Sequence, residues 1–116
     1  MKYFLAVDIG ASSGRHMLTH MEEDRMVLEE VHRFYNGMTE KNGHKIWDVD
    51  TLFEEIKIGM KKCASLGKIP ESMGIDTWAV DFVLLDKNGG RIGDAVAYRD
   101  ARTTGMDEGM PDCRRE

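Results

Sequence analysis

Apolar residues follow two rhythms along this chain, and the alternation between them predicts its elements. Tyr3-Phe4-Leu5-Ala6-Val7 and the segment Met73 to Asp76 are short, nearly continuous apolar runs. Runs of that length read as strands buried on both faces. A turn rich in Gly and Ser, Asp8 to Gly14, separates the first run from a predicted second strand, Arg15 to Met21. The charged turn Glu22 to Arg25 then leads into Met26 to Tyr35. Leu28, Val31 and Phe34 also fit helical spacing, but the short turn before them favours a hairpin and a third strand. Asn36-Gly37 and Asn42-Gly43 mark turns, and His44 to Trp47 predicts a short strand.

The rhythm changes to a helical one around Asp48 to Thr51. Leu52, Phe53, Ile56, Met60 and Cys63 form an apolar stripe at helical spacing, read as core packing. Thr51 and Glu54 have capping-box spacing, and Asp48 and Asp50 favour the positive helix start. Gly67 is the expected C-terminal cap, and Pro70 stops the helix. Phe82 to Leu85 predicts another strand, Asn88-Gly89-Gly90 a hairpin turn, and Arg91 to Tyr98 its returning partner. From Gly105 to Glu116 the pattern stops. Three strands, a helix and more strands imply a mixed α/β sheet in which one helix covers part of one face.

Composition narrows the picture. With 116 residues the chain has the length of one domain or part of one, and 41% hydrophobic residues support a folded core. A net charge of -5 gives no global field toward nucleic acid. A local phosphate site remains open, because backbone N–H groups hold anions without net charge. Cys63 and Cys113 show no metal-ligand spacing and read as reduced thiols. The apolar run ended by Asp8 is too short for a signal-peptide core or a membrane span, so a cytoplasmic location follows by default.

Three segments are candidates for chemistry. In Asp8-Ile9-Gly10-Ala11-Ser12-Ser13-Gly14-Arg15 a strand ends in a carboxylate and a turn of small residues. Small side chains let backbone N–H groups approach an anion, Asp8 fits a hydrated Mg²⁺, and Arg15 adds positive charge. The segment lacks the Gly-Lys-Ser/Thr ending of a Walker loop and expects a strand, not a helix, to follow. An ordinary hairpin with Asp8 capping its turn is the plain alternative. In Gly74-Ile75-Asp76-Thr77-Trp78-Ala79-Val80-Asp81-Phe82 a second strand ends in carboxylates beside an aromatic ring, which fits a sugar. A core Trp beside a surface loop is the alternative there. In Tyr98-Arg99-Asp100-Ala101-Arg102-Thr103 the alternating charges read as a solvated ion-pair cluster. His16, His20, His32 and His44 read as structural or exposed.

Taken in order, these segments resemble the FGGY family of carbohydrate kinases, within the superfamily of actin, hexokinase and the Hsp70 ATPase. The resemblance rests on Ala6 to Arg15, His32-Arg33-Phe34-Tyr35-Asn36-Gly37, Trp47-Asp48-Val49-Asp50, Gly74 through Asp86, and Tyr98 to Thr103. It implies a ribonuclease H-like, actin-like ATPase fold, with residues 1–104 as the N-terminal part of the first kinase domain. It implies ATP and Mg²⁺ as cofactors, with Ala11, Ser12, Ser13, Gly14 and Arg15 lining the phosphates and Asp8 meeting Mg²⁺ through water. Trp78, Ala79 and Asp81 would face the sugar. The implied reaction moves the γ-phosphoryl group of ATP to O1 of L-rhamnulose. Similar proteins commonly carry Gly where this chain has Ala79, which leaves another ketose or polyol open as the substrate; a non-catalytic nucleotide- or sugar-binding lobe and a structural α/β domain without ligand are the alternatives of other classes. The family's catalytic Asp is expected beyond residue 116, and residues 105–116 match the pattern poorly. A truncated or frameshifted frame, inactive alone, is therefore expected.

Overall fold

The structure, a computed structural model, describes residues 1–106. The tail expected to match poorly lies outside the described residues from 107 onward, Cys113 included. In chain order the elements are β1 (Tyr3–Ile9), β2 (Ser13–Glu22), β3 (Arg25–Tyr35), β4 (Thr39–Lys41), β5 (His44–Trp47), α1 (Val49–Ser65), β6 (Pro70–Asp76), β7 (Leu84–Leu85), β8 (Arg91–Ile92) and β9 (Ala95–Val96), followed by a 3₁₀ turn at Ala101–Thr103. The chain forms two units. One joins Met1–Gly37 with Asp48–Val80, and the other joins Met38–Trp47 with the described chain from Asp81.

The first unit is a four-stranded sheet in the order β3-β2-β1-β6, with β1 antiparallel to β2 and parallel to β6. β1 to β3 run as a meander, which confirms the strand reading of Met26 to Tyr35. A parallel neighbour cannot follow through a tight turn, so α1 makes the crossover between β3 and β6. Leu5, Val7, Ile9, Leu18 and Phe34 turn to one face, where they form a core with Cys63 from α1.

Several details differ from the sequence expectations. β1 is buried on one face only, and Phe4 on the other face is 41% exposed. β6 is an exposed edge strand, with Met73 41% and Ile75 49% exposed. The cause is the placement of α1, which packs over β3 and β2 and stops short of β6. The helical stripe is correspondingly narrower than expected. Leu52, Ile56 and Cys63 meet the core, while Phe53 and Met60 lie outside it.

The cap of α1 also differs. Asp48, not Thr51, is the N-cap, and its carboxylate accepts from Thr51 N at 3.0 Å. The C-terminus behaves as expected. Gly67 takes φ +72°, its N–H donates to Ala64 O, and Lys68 N–H donates to Cys63 O. That pair of bonds is a Schellman closure, which favours glycine because the left-handed region carries no Cβ clash there.

The second unit holds a sheet in the order β4-β5-β9 and a separate β7-β8 hairpin. The turn at Asn88-Gly89-Gly90 forms as expected, with Asp86 accepting from Asn88 N and Gly90 N at 2.8 Å each. The predicted single return strand, Arg91 to Tyr98, is two short strands instead. Gly93 at φ +70° breaks it, and β9 pairs with β5 rather than with β7. β4 was not foreseen. It pairs with β5 across Asn42-Gly43, whose positive φ values, 53° and 81°, fit a tight hairpin turn.

Candidate functional site

The turn between β1 and β2 is built from below. Gly10 N–H donates to Ser13 O at 2.9 Å and closes the hairpin. Asn36, buried just past the end of β3, clamps it from the side: its N–H donates to Ser12 O at 3.0 Å and its Nδ2 donates to Gly10 O at 2.8 Å. Gly14 lies against the Phe34 ring, so any Cβ at that position would overlap it. The expected phosphate residues Ala11, Ser12, Ser13, Gly14 and Arg15 are thus one fixed turn followed by a strand. Ser12 is exposed at its tip and Gly14 is buried at its base.

The charged groups form a row across three neighbouring strands. Asp8 is paired in register with Arg15 on β2 and with Asp76 on β6. Arg15 Nη1 donates to Asp8 Oδ2, and Arg15 Nη2 donates to Ser13 Oγ at 2.9 Å. The carboxyl groups of Asp8 and Asp76 hydrogen-bond to each other. Hydrogen bonding from Asp76, aided by Arg15, holds Asp8 below the usual carboxylate range. The same contact with Asp8, with desolvation, raises Asp76. Asp8 is therefore an ionised carboxylate at the C-terminal end of a central strand, where ligands gather in open α/β sheets. Among the described residues no cluster of three or more His, Cys, Asp or Glu side chains could enclose a metal. One carboxylate beside a turn of small residues would suit a hydrated Mg²⁺, which needs few protein ligands.

The expected sugar residues lie on the segment after β6. Trp78 is half-buried and packs against the core that β1, β2, β3 and α1 share. Ala79 is exposed. Val80 takes φ 71°, an uncommon conformation for a β-branched residue. In the second unit, Asp81 accepts a hydrogen bond from Trp47 Nε1 at 2.6 Å. Sequence reasoning singled out neither Trp47 nor Asn36 as a site residue. The only signals were the motif blocks that contain them, since a lone Asn or Trp reveals no partner.

Asp100 corrects the reading of the third segment as a solvated cluster. Its side chain is buried and accepts from Lys45 N at 2.7 Å, from His44 Nδ1 at 3.0 Å and from Arg102 N at 3.1 Å. Led by the Lys45 N–H, these donors lower its pKa to about 2. Asp100 ties β5 to the 3₁₀ turn, while Arg99 and Arg102 stay exposed.

Residues 3–112 match the N-terminal domain of the FGGY family of carbohydrate kinases, and the chain belongs to that family. It is 58% identical over 108 residues to the rhamnulokinase of Halalkalibacterium halodurans, covering 93% of this chain and 23% of that protein. It is 54% identical over 104 residues to the rhamnulokinase of Oceanobacillus iheyensis, covering 90% and 22%. The chain thus spans between a fifth and a quarter of the length of these relatives. The solved gluconate kinase of Lactobacillus acidophilus superposes with a TM-score of 0.74 at 12% identity, covering 93% of this chain and 22% of that one. The fold is the actin-like ATPase type shared by FGGY sugar kinases. Among the described residues no helix is long and apolar enough to cross a membrane.

Proposed function

We propose that this chain is the phosphate-binding part of an ATP-dependent kinase that phosphorylates L-rhamnulose at O1, giving L-rhamnulose 1-phosphate. The observation that carries the reading is the Arg15-Asp8-Asp76 row beside the clamped turn at Gly10–Gly14. The rhamnulokinase relatives support the choice of sugar. The turn from Ala11 to Arg15 lines the ATP phosphates, with Arg15 adding charge close by. Asp8 holds Mg²⁺ through water, and the ion neutralises charge developing on the phosphates. Trp78, Ala79 and Asp81 meet the ketose. Phosphoryl transfer also needs a carboxylate free to take the hydroxyl proton, and Asp8, Asp76 and Asp81 are each held by other groups, so residues 1–116 alone give no turnover. The kinase works in the cytoplasm, where ATP is available, and binds neither nucleic acid nor membrane.

The test joins this chain to the remaining segment of the Halalkalibacterium halodurans relative. ADP release is then measured with ATP, Mg²⁺ and a panel of L-rhamnulose, other ketoses and polyols. Preferential turnover of L-rhamnulose is expected. Preference for another sugar replaces the substrate, and no turnover with any sugar overturns the kinase reading.

A further inference from the structure

Trp47 closes β5 with only 3% of its surface exposed. An indole N–H buried to that degree needs an acceptor, because leaving it bare forfeits its bond to water without replacement. Its acceptor is the Asp81 carboxylate at 2.6 Å, from a segment 34 residues further along the chain. Donation to a carboxylate is a charge-assisted bond, stronger than one between neutral groups. The donor is itself well held. Trp47 is paired in register with buried Ala95 on β9, and its ring tilts against Tyr98 with 6.5 Å between centroids. Asp81 is therefore tied to a rigid element rather than to another loop.

The residue before Asp81 adds an independent observation. Val80 is held at φ 71° while 79% exposed, so no burial of its side chain offsets the unfavourable backbone. Such strain persists where the flanking structure dictates the backbone, and it gathers at ligand-facing segments. A strained, exposed residue directly before an anchored carboxylate marks a segment whose shape is specified.

We propose that Trp47 is a positioning residue for the sugar, whose indole N–H fixes Asp81 and thereby the orientation in which that carboxylate meets the ketose. The proposal rests on the ketose-kinase reading above. Trp47 itself need not touch the sugar. Its identity matters because phenylalanine fills similar space without an N–H.

The test uses the joined kinase for kinetics and the 116-residue chain for spectroscopy. In the joined kinase, Trp47→Phe should raise KM for L-rhamnulose about tenfold, as expected for loss of one hydrogen bond to a charged group. KM for ATP and kcat should stay nearly unchanged, a split that general loosening of the fold does not produce. In an Asp81→Ala background, the same Trp47→Phe change should add no further rise, because the contact it supports is already gone. In the 116-residue chain, hydrogen exchange at the Trp47 indole should be slow and should speed up in Asp81→Ala. That measurement does not depend on the phenylalanine variant folding. Equal rises in both KM values, additive penalties in the double variant, or indole exchange indifferent to Asp81 would each overturn the proposal. If the unaltered joined kinase ignores L-rhamnulose, the proposed function fails, while the exchange measurement still decides whether Trp47 holds Asp81.

Discussion

The two outer strands of the four-stranded sheet differ in what lies over them. β3 sits under α1 and is tied to it by charge as well as by packing. His32 Nε2 donates to Glu55 at 2.5 Å and Lys62 donates to His32 Nδ1 at 2.7 Å, and just past the helix Lys68 donates to Glu29 at 2.7 Å. Beside them, His16 is fully buried, with its Nε2 donating to Ile56 O at 3.0 Å. β6 has no such cover. An apolar groove of about 260 Å³ runs between it and the helix, lined by Leu5, Met60, Ile69, Pro70, Ser72 and Met73. The core-facing residues Met73 and Ile75 stay open to solvent. The lesson is that an apolar run predicts a strand, but not whether the same chain supplies its cover.

The sharpest way to break this comparison is to remove equal apolar bulk from both sides. Leu18 is buried in the covered core. Leu18→Ala should destabilise the chain by about 3 kcal/mol, as for a filled core site that cannot collapse. Ile75→Ala, on the open strand, should cost less than about 1 kcal/mol, because its side chain is already half in water. Urea melts of both variants check the ratio, and equal losses would mean that β6 is covered in solution.

Next in size is the base of the Gly10–Gly14 turn. Gly14→Ala pushes a methyl group into the Phe34 ring and should cost about 1–3 kcal/mol through overpacking. Phe34→Leu in the same chain should recover part of the loss by making room, which a thermal melt of the pair reads directly.

A smaller effect belongs to pH. Burial, opposed by the Ile56 carbonyl and aided by nearby His32, lowers the His16 pKa below the ordinary 6.5. Glu55 and Lys62 of α1 face the same cluster. The unfolded chain takes up this proton as pH falls through 6.5, and the folded chain resists it. The His16 contribution is therefore complete above 6.5 and is lost as pH drops toward the lowered folded value. Stability measured from pH 7 to pH 5 should fall, and His16→Phe should flatten that slope whatever it does to the overall stability. An unchanged slope would place the titrating group elsewhere.

The smallest effect should come from the open strand. Met73→Lys should change the unfolding free energy by less than about 0.5 kcal/mol, as for a surface substitution. It should also reduce self-association, because a lysine on an edge strand discourages pairing with another chain. Sedimentation of the two proteins at matched concentration checks this, and a large loss of stability would show that Met73 is buried after all.

Much of the fold was legible because its signals are local. The meander of β1 to β3 follows from short charged or Gly-rich turns between apolar runs, and the close of α1 follows from Gly67 and Pro70. The hairpin turn from Asp8 to Arg15 was legible, because small residues after a strand limit what the backbone can do. The burial of Asp100 was not, since it depends on Lys45 and His44 reaching it from 55 and 56 residues away. The clamp by Asn36 on Gly10 spans 26 residues and left no mark beyond a turn signal.

The sequence by itself determined the strand-turn-strand opening, the helix and its C-terminal stop, and membership of the kinase family. Each rests on neighbours along the chain or on ordered motifs. Only the tertiary structure decided that α1 covers β3 and β2 but not β6, that Arg91 to Tyr98 splits between two sheets, and that Trp47 holds Asp81. Those outcomes depend on which apolar face wins the helix and which buried donor finds which acceptor. Such competitions are settled between segments far apart in the chain, so no local pattern encodes them.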